Sequence, residues 1–80
     1  MIHLLFICHG NICRSPMAEF IMKELVRQKG LTGKFLITSL AATEEETGRD
    51  IYPPAQRILK EKQIPFSHRK ARRMTMADYD

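Results

Sequence analysis

Tryptophan is absent and cysteine is scarce: Cys8 and Cys13, five positions apart, are the two thiols in 80 residues. That spacing does not make a disulfide-stapled fold, and no pair of Cys or His pairs carries zinc-finger spacing. Long apolar runs are missing too; none approaches the roughly 20 residues that span a bilayer. Met1 leads into a short apolar run that ends at a thiol-bearing loop, with no small-residue cleavage site, so a secretory leader is not expected. A membrane is not an expected partner, and a reducing cytoplasm is the expected compartment. No internal repeat, low-complexity segment or linker interrupts the chain. This length suits one small domain, 1–80, which is only marginally stable alone.

Charge is unevenly spread about a net +4. Glu44, Glu45 and Glu46 form an acidic cluster; His68-Arg69-Lys70 and Arg72-Arg73 form a basic one. Each reads first as solvated surface. The basic cluster reads next as a patch that attracts anionic substrates. Nucleic acid is not an expected partner, because no aromatic residues are interleaved with the basic ones.

The pattern of elements is α/β. Residues 2–8, Ile-His-Leu-Leu-Phe-Ile-Cys, are nearly continuously apolar, which predicts a parallel strand buried on both faces. Gly10 and Asn11 tolerate left-handed backbone angles and break that run. Pro16 suits the first position of a helix, with Met17, Phe20, Ile21 and Leu25 facing the sheet, Glu19 and Lys23 paired along it, and Gly30 ending it. Phe35-Leu36-Ile37-Thr38-Ser39 predicts a second strand, completing a right-handed βαβ unit. Residues 40–52 read as a polar loop. Pro53-Pro54 opens a second helix with Ala55, Ile58 and Leu59 inward, and Thr75-Met76-Ala77-Asp78 reads as the capped start of a third. Two strands make a marginal sheet, so the expectation is a truncated chain, or one completed by an oligomer partner or another chain.

The informative segment is Cys8-His9-Gly10-Asn11-Ile12-Cys13-Arg14-Ser15. Cys8 ends a parallel strand, where α/β folds place ligands. The turn into a helix aims backbone N–H groups, and the positive end of the helix dipole, at one spot. That makes an anion-binding nest, which Arg14 closes with a planar fork suited to phosphate oxygens. Such surroundings hold Cys8 as a thiolate, a nucleophile for phosphorus. Ser15 either donates to that thiolate or caps the helix. Cys13 is first a small packing residue. A zinc site of Cys8, Cys13, His9 and His3 is a poor fit with an arginine pointing into an anion nest; no metal or cofactor is expected.

Cys8-His9-Gly10-Asn11-Ile12-Cys13-Arg14-Ser15-Pro16-Met17-Ala18-Glu19 resembles the low-molecular-weight protein tyrosine phosphatases. A weaker match continues through Ser39-Leu40-Ala41-Ala42-Thr43, Gly48, Tyr52-Pro53-Pro54 and His68-Arg69-Lys70-Ala71-Arg72. The resemblance covers essentially all 80 residues but about the first half of the family's domain. It implies a parallel-sheet, three-layer phosphatase fold truncated to that half. It implies a protein tyrosine phosphatase that hydrolyses aryl phosphate monoesters through a cysteinyl-phosphate intermediate. Cys8 would be the nucleophile and Arg14 the clamp. His9, Gly10, Asn11, Ile12, Cys13, Arg14 and Ser15 would bind the phosphate, with Ser15 stabilising the thiolate. Ser39 and His68 would join Asn11 in a supporting network, and Cys13 would form a reversible disulfide with Cys8 under oxidation. Expected partners are a phosphotyrosine protein or small aryl phosphate, and phosphate or sulfate in the loop.

The sequence also departs from the family pattern. His9 and Glu45 fall on the variable rim, and Lys70 stands as an extra residue in the His-Arg-x-Arg stretch. The family's general acid lies in an Asp-Pro loop, and no Asp-Pro occurs here; Asp50, Asp78 and Asp80 do not match it. Three other readings compete. A thiol-dependent arsenate reductase of the same fold would need further cysteines. A non-catalytic oxyanion-binding module would need no acid. A cysteine phosphocarrier would have no use for Arg14.

Overall fold

The structure, a computed structural model of the chain, describes residues 1–75. The apolar run forms strand β1 (Ile2–Cys8), followed by helix α1 (Arg14–Gln28), a short 3-10 turn (Thr32–Lys34), strand β2 (Phe35–Ala41) and helix α2 (Pro53–Glu61). The strands pair in parallel, in register from Ile2 opposite Phe35 to Cys8 opposite Ala41. The shared register brings both strands to an end at the same level, beside the loop that follows Cys8. Beyond it, Ala41 is also clamped by the tail of the described chain: its N–H donates to the Arg72 carbonyl at 2.7 Å, and Met74 N–H donates to the Ala41 carbonyl at 2.8 Å.

Helix α1 begins at Arg14, two residues before Pro16, which therefore occupies its third position. Proline is tolerated there because the N–H groups of a first turn have no partner inside the helix. At the other end Gly30 takes φ +69 and Leu31 N–H reaches back to the Val26 carbonyl at 2.9 Å, the left-handed stop that the glycine predicted. Pro53 and Pro54 open α2 as expected.

The principal core lies between the two helices. Phe20 of α1, Ile51, and Ala55 and Leu59 of α2 are buried together, with Cys13, Met17, Ile64 and Phe66 packed around them. The Phe20 and Phe66 rings meet edge to face at 6.2 Å between centroids. On the sheet, Ile37, Leu40 and Ala41 of β2 are buried.

Several expected burials are corrected. Ile21 and Leu25 of α1 and Ile58 of α2 are exposed. Each α-helical step turns by about 100°. Burial of Pro16, Phe20 and Val26 on α1, and of Ala55 and Leu59 on α2, therefore rotates the neighbouring rows outward. Strand β1 is not buried on both faces: Ile2 and Ile7 are exposed, while Leu4, Leu5 and Phe6 are half-buried. Among the described residues it pairs with β2 and packs against α1, which leaves its second face and outer edge open. The second strand runs on through Ala41, beyond its expected end at Ser39. The helix start expected at Thr75 runs into residues 76–80, outside the described ones. No helix among the described residues is long and apolar enough to cross a membrane.

Candidate active site

Cys8 is the last residue of β1, and the loop from His9 to Cys13 folds back so that α1 starts beside it. Asn11 makes the reversal, with φ +57 and a side chain sunk to 1% exposure. Its N–H donates to Cys8 Sγ at 3.2 Å, and the Ser15 hydroxyl stands 3.0 Å from the same sulfur. Ser15 thus serves the thiol rather than the helix cap; Cys13, at the cap position, makes no side-chain cap bond. Burial pushes the Cys8 thiol up. Hydrogen bonds from the Ser15 hydroxyl and from the N–H groups of Ser15, Asn11 and Gly10 outweigh it, and the thiol sits below its ordinary value. Gly10 has no positive φ; it sits in a tight space, where a Cβ would lie 2.9 Å from Cγ of the Glu46 side chain.

A polar chain backs the loop. Asn11 Nδ2 donates to Ser15 Oγ at 2.7 Å and to Ser39 Oγ at 2.9 Å. The Ser39 hydroxyl donates to Glu19 Oε1 at 2.6 Å, and Lys23 holds Glu19 Oε2 at 2.6 Å. Glu19, a carboxylate at 8% exposure, is thereby satisfied on both oxygens. Arg72 N–H approaches Asn11 Oδ1 at 3.4 Å.

His68 takes no part in these hydrogen bonds. Its Nδ1 contacts Asp50 Oδ2 at 2.5 Å, on an exposed flank. The next residue, Arg69, turns inward and donates to the Asn11 carbonyl. A one-residue offset thus puts a guanidinium, not an imidazole, at the loop. Sequence reasoning missed Arg69, and it saw in Glu19 only a partner for Lys23. The signal available for Glu19 was its place one helical turn beyond Ser15, on the buried face.

The remaining loop residues spread outward. His9 Nε2 meets Glu45 Oε2 at 2.8 Å on the exposed rim, and its carbonyl accepts Thr43 Oγ1 at 3.0 Å. The Ile12 carbonyl accepts Tyr52 N–H at 2.6 Å, tying the loop to the start of α2. Cys13 packs on the core between the helices; both thiols are free. Arg14 is exposed and lines an open pocket of about 270 Å³ with Phe6, Ile7, Cys8, Ser15 and Ala18.

The family model described as Low molecular weight phosphotyrosine protein phosphatase matches residues 3–80. The chain belongs to that family. It is 41% identical over 80 residues to the Low molecular weight protein-tyrosine-phosphatase YfkJ of Bacillus subtilis, covering 100% of this chain and 51% of that protein. It is 38% identical over 76 residues to the Low molecular weight phosphotyrosine protein phosphatase of Sus scrofa, covering 95% of this chain and 48% of the relative. The crystal structure of SP-PTP from Streptococcus pyogenes superposes with a TM-score of 0.91 at 39% identity, over 99% of this chain and 51% of that one. The chain spans about half the length of these low molecular weight phosphatases. They do not favour the arsenate reductase alternative.

Proposed function

We propose that this chain carries the nucleophile and phosphate-binding loop of a protein tyrosine phosphatase acting on aryl phosphate monoesters. The observation that supports it most is the Cys8 sulfur between the Ser15 hydroxyl at 3.0 Å and the Asn11 N–H at 3.2 Å, at the start of a helix. Donors so placed favour the thiolate and would equally hold phosphate oxygens. In the proposed reaction Cys8 Sγ forms the S–P bond while the P–O bond to the aryl oxygen breaks. Water then attacks phosphorus, releases inorganic phosphate and restores the thiolate. Arg14 clamps two equatorial oxygens, and the N–H groups of residues 9–15 hold the third. The substrate is a phosphotyrosine protein or a small aryl phosphate, and free phosphate or sulfate fits the same loop.

The leaving oxygen needs a proton, and none of these residues matches an Asp-Pro acid. Losing such an acid costs about 10² to 10⁴ in rate. The 80 residues alone are therefore proposed to be weak on phosphotyrosine and relatively better on p-nitrophenyl phosphate, whose leaving group is stable as an anion. A second copy or another chain that covers β1 would steady them.

Cys8→Ser in the full-length protein tests the reading. Turnover of p-nitrophenyl phosphate should vanish while inorganic phosphate still binds. Near-normal turnover by Cys8→Ser would exclude a cysteinyl-phosphate. Absence of turnover in the wild type, with phosphate bound, would leave the non-catalytic oxyanion module.

A further inference from the structure

Arg69 lies behind the loop, half-buried, in the basic cluster that follows Ser67. Its Nη2 donates to the Asn11 carbonyl. Its Nη1 donates to the Arg49 carbonyl at 3.3 Å, and its backbone N–H to Asp50 Oδ1 at 3.0 Å. One planar fork therefore joins the loop after β1 to the segment before α2.

The consequence follows from the peptide unit. The carbonyl that Arg69 holds belongs to the trans peptide between Asn11 and Ile12. In a trans peptide the C=O and the N–H point in opposite directions. A guanidinium holding the Asn11 carbonyl from behind directs the Ile12 N–H away from itself. This peptide sits at the left-handed turn of the loop, where Asn11 has φ +57. If the same peptide were flipped, its carbonyl would face the cradle and repel an oxyanion. The neighbouring charges suit a cation here: Glu19 from α1, Asp50 from the loop before α2 and Cys8 from β1 all attract it. His68 leans on Asp50 from the other side, and Arg14 is the further cation of the loop, on α1.

We infer that Arg69 is a positioning residue for oxyanion binding: its guanidinium locks the Asn11–Ile12 peptide so that the loop presents a donor to a bound phosphate. The inference rests on reading the loop as a phosphate cradle. Burial lowers the Arg69 pKa, against the attraction of Glu19, Asp50 and Cys8, yet a guanidinium stays charged throughout the working pH range.

The test is titration of inorganic phosphate by calorimetry into full-length wild type, Arg69→Met and Arg69→Lys. The thiolate absorbance of Cys8 is followed against pH in the same proteins. Arg69→Met, folded by circular dichroism, should bind phosphate about 10-fold more weakly and titrate Cys8 at higher pH. Arg69→Lys keeps the charge but cannot span both carbonyls; its thiol should titrate as in wild type while its phosphate affinity falls several-fold. Wild-type phosphate affinity in a folded Arg69→Met overturns the inference. If Arg69→Met does not fold, Arg69→Lys decides: several-fold loss supports the lock, and wild-type affinity overturns it. A wild type that binds no phosphate overturns the cradle reading and the lock together. A wild type that binds and hydrolyses, beside an indifferent variant, confines the failure to Arg69.

Discussion

Asn11 and Ser39 stand 28 positions apart and are joined by a 2.9 Å hydrogen bond from the Asn11 amide to the Ser39 hydroxyl. That one bond ties the loop after β1 to the middle of β2. Because the Ser39 hydroxyl in turn donates to Glu19 at 2.6 Å, the loop is also tied to the buried flank of α1. A left-handed asparagine is costly unless its surroundings over-determine it. Here Ser15, Ser39 and Arg69 all hold it.

Ser39→Ala should therefore destabilise the full-length protein by about 1–3 kcal/mol, since Glu19 loses a donor in a buried place. Urea unfolding measures the loss. In a double-mutant cycle Ser39→Ala and Glu19→Gln should couple rather than add. Strict additivity would mean that the two side chains do not share the bond described.

Ser15→Ala removes the hydroxyl beside Cys8 Sγ. A donor to the sulfur favours the charged form, so its loss should raise the thiol pKa. The rate of alkylation by iodoacetamide, plotted against pH, should shift to higher pH. An unmoved profile would return Ser15 to a merely structural role.

Gly10→Ala places a methyl 2.9 Å from Glu46 Cγ. Backbone strain does not enter, because Gly10 has no positive φ. Glu46 must move, which disturbs its 2.8 Å ion pair with Arg49. The expected cost is about 1–3 kcal/mol, and Glu46→Ala in the same protein should recover most of it. Thermal melts of the single and double variants check both statements.

Asp50 holds the segment beside the loop through Arg69 N–H at 3.0 Å, Ile51 N–H at 2.7 Å and the His68 ring. Burial pushes its carboxyl up, but the Arg69 N–H, the His68 ring and the Ile51 N–H outweigh that and hold it below the ordinary value. A carboxyl lower in the folded than in the unfolded state contributes stability that is complete above its unfolded pKa. That stability is lost as pH falls through the folded pKa. Acid melts should therefore show a loss of stability below about pH 4, and Asp50→Asn should flatten that limb. An identical acid limb in the variant would remove Asp50 from the balance.

The run from Cys8 to Ser15 was legible because its signals are local. A strand end, a left-handed turn and a helix start are set by neighbours a few positions away, and the chemistry of the loop follows from that turn. The same holds for Pro53-Pro54 opening α2 and Gly30 closing α1. What local signals do not carry is which distant side chain arrives. The family resemblance implied His68 as a partner of Asn11; the fold gave the place to its neighbour Arg69, 58 positions away from Asn11. Periodicity made Ile21, Leu25 and Ile58 look inward, and the choice of which helical row met its neighbour left them outside. Sequence by itself determined the loop, its thiol and the elements that bear it. Tertiary structure alone decided which charges stand behind that loop, because packing, and not adjacency in the chain, sets the partners of a buried polar group.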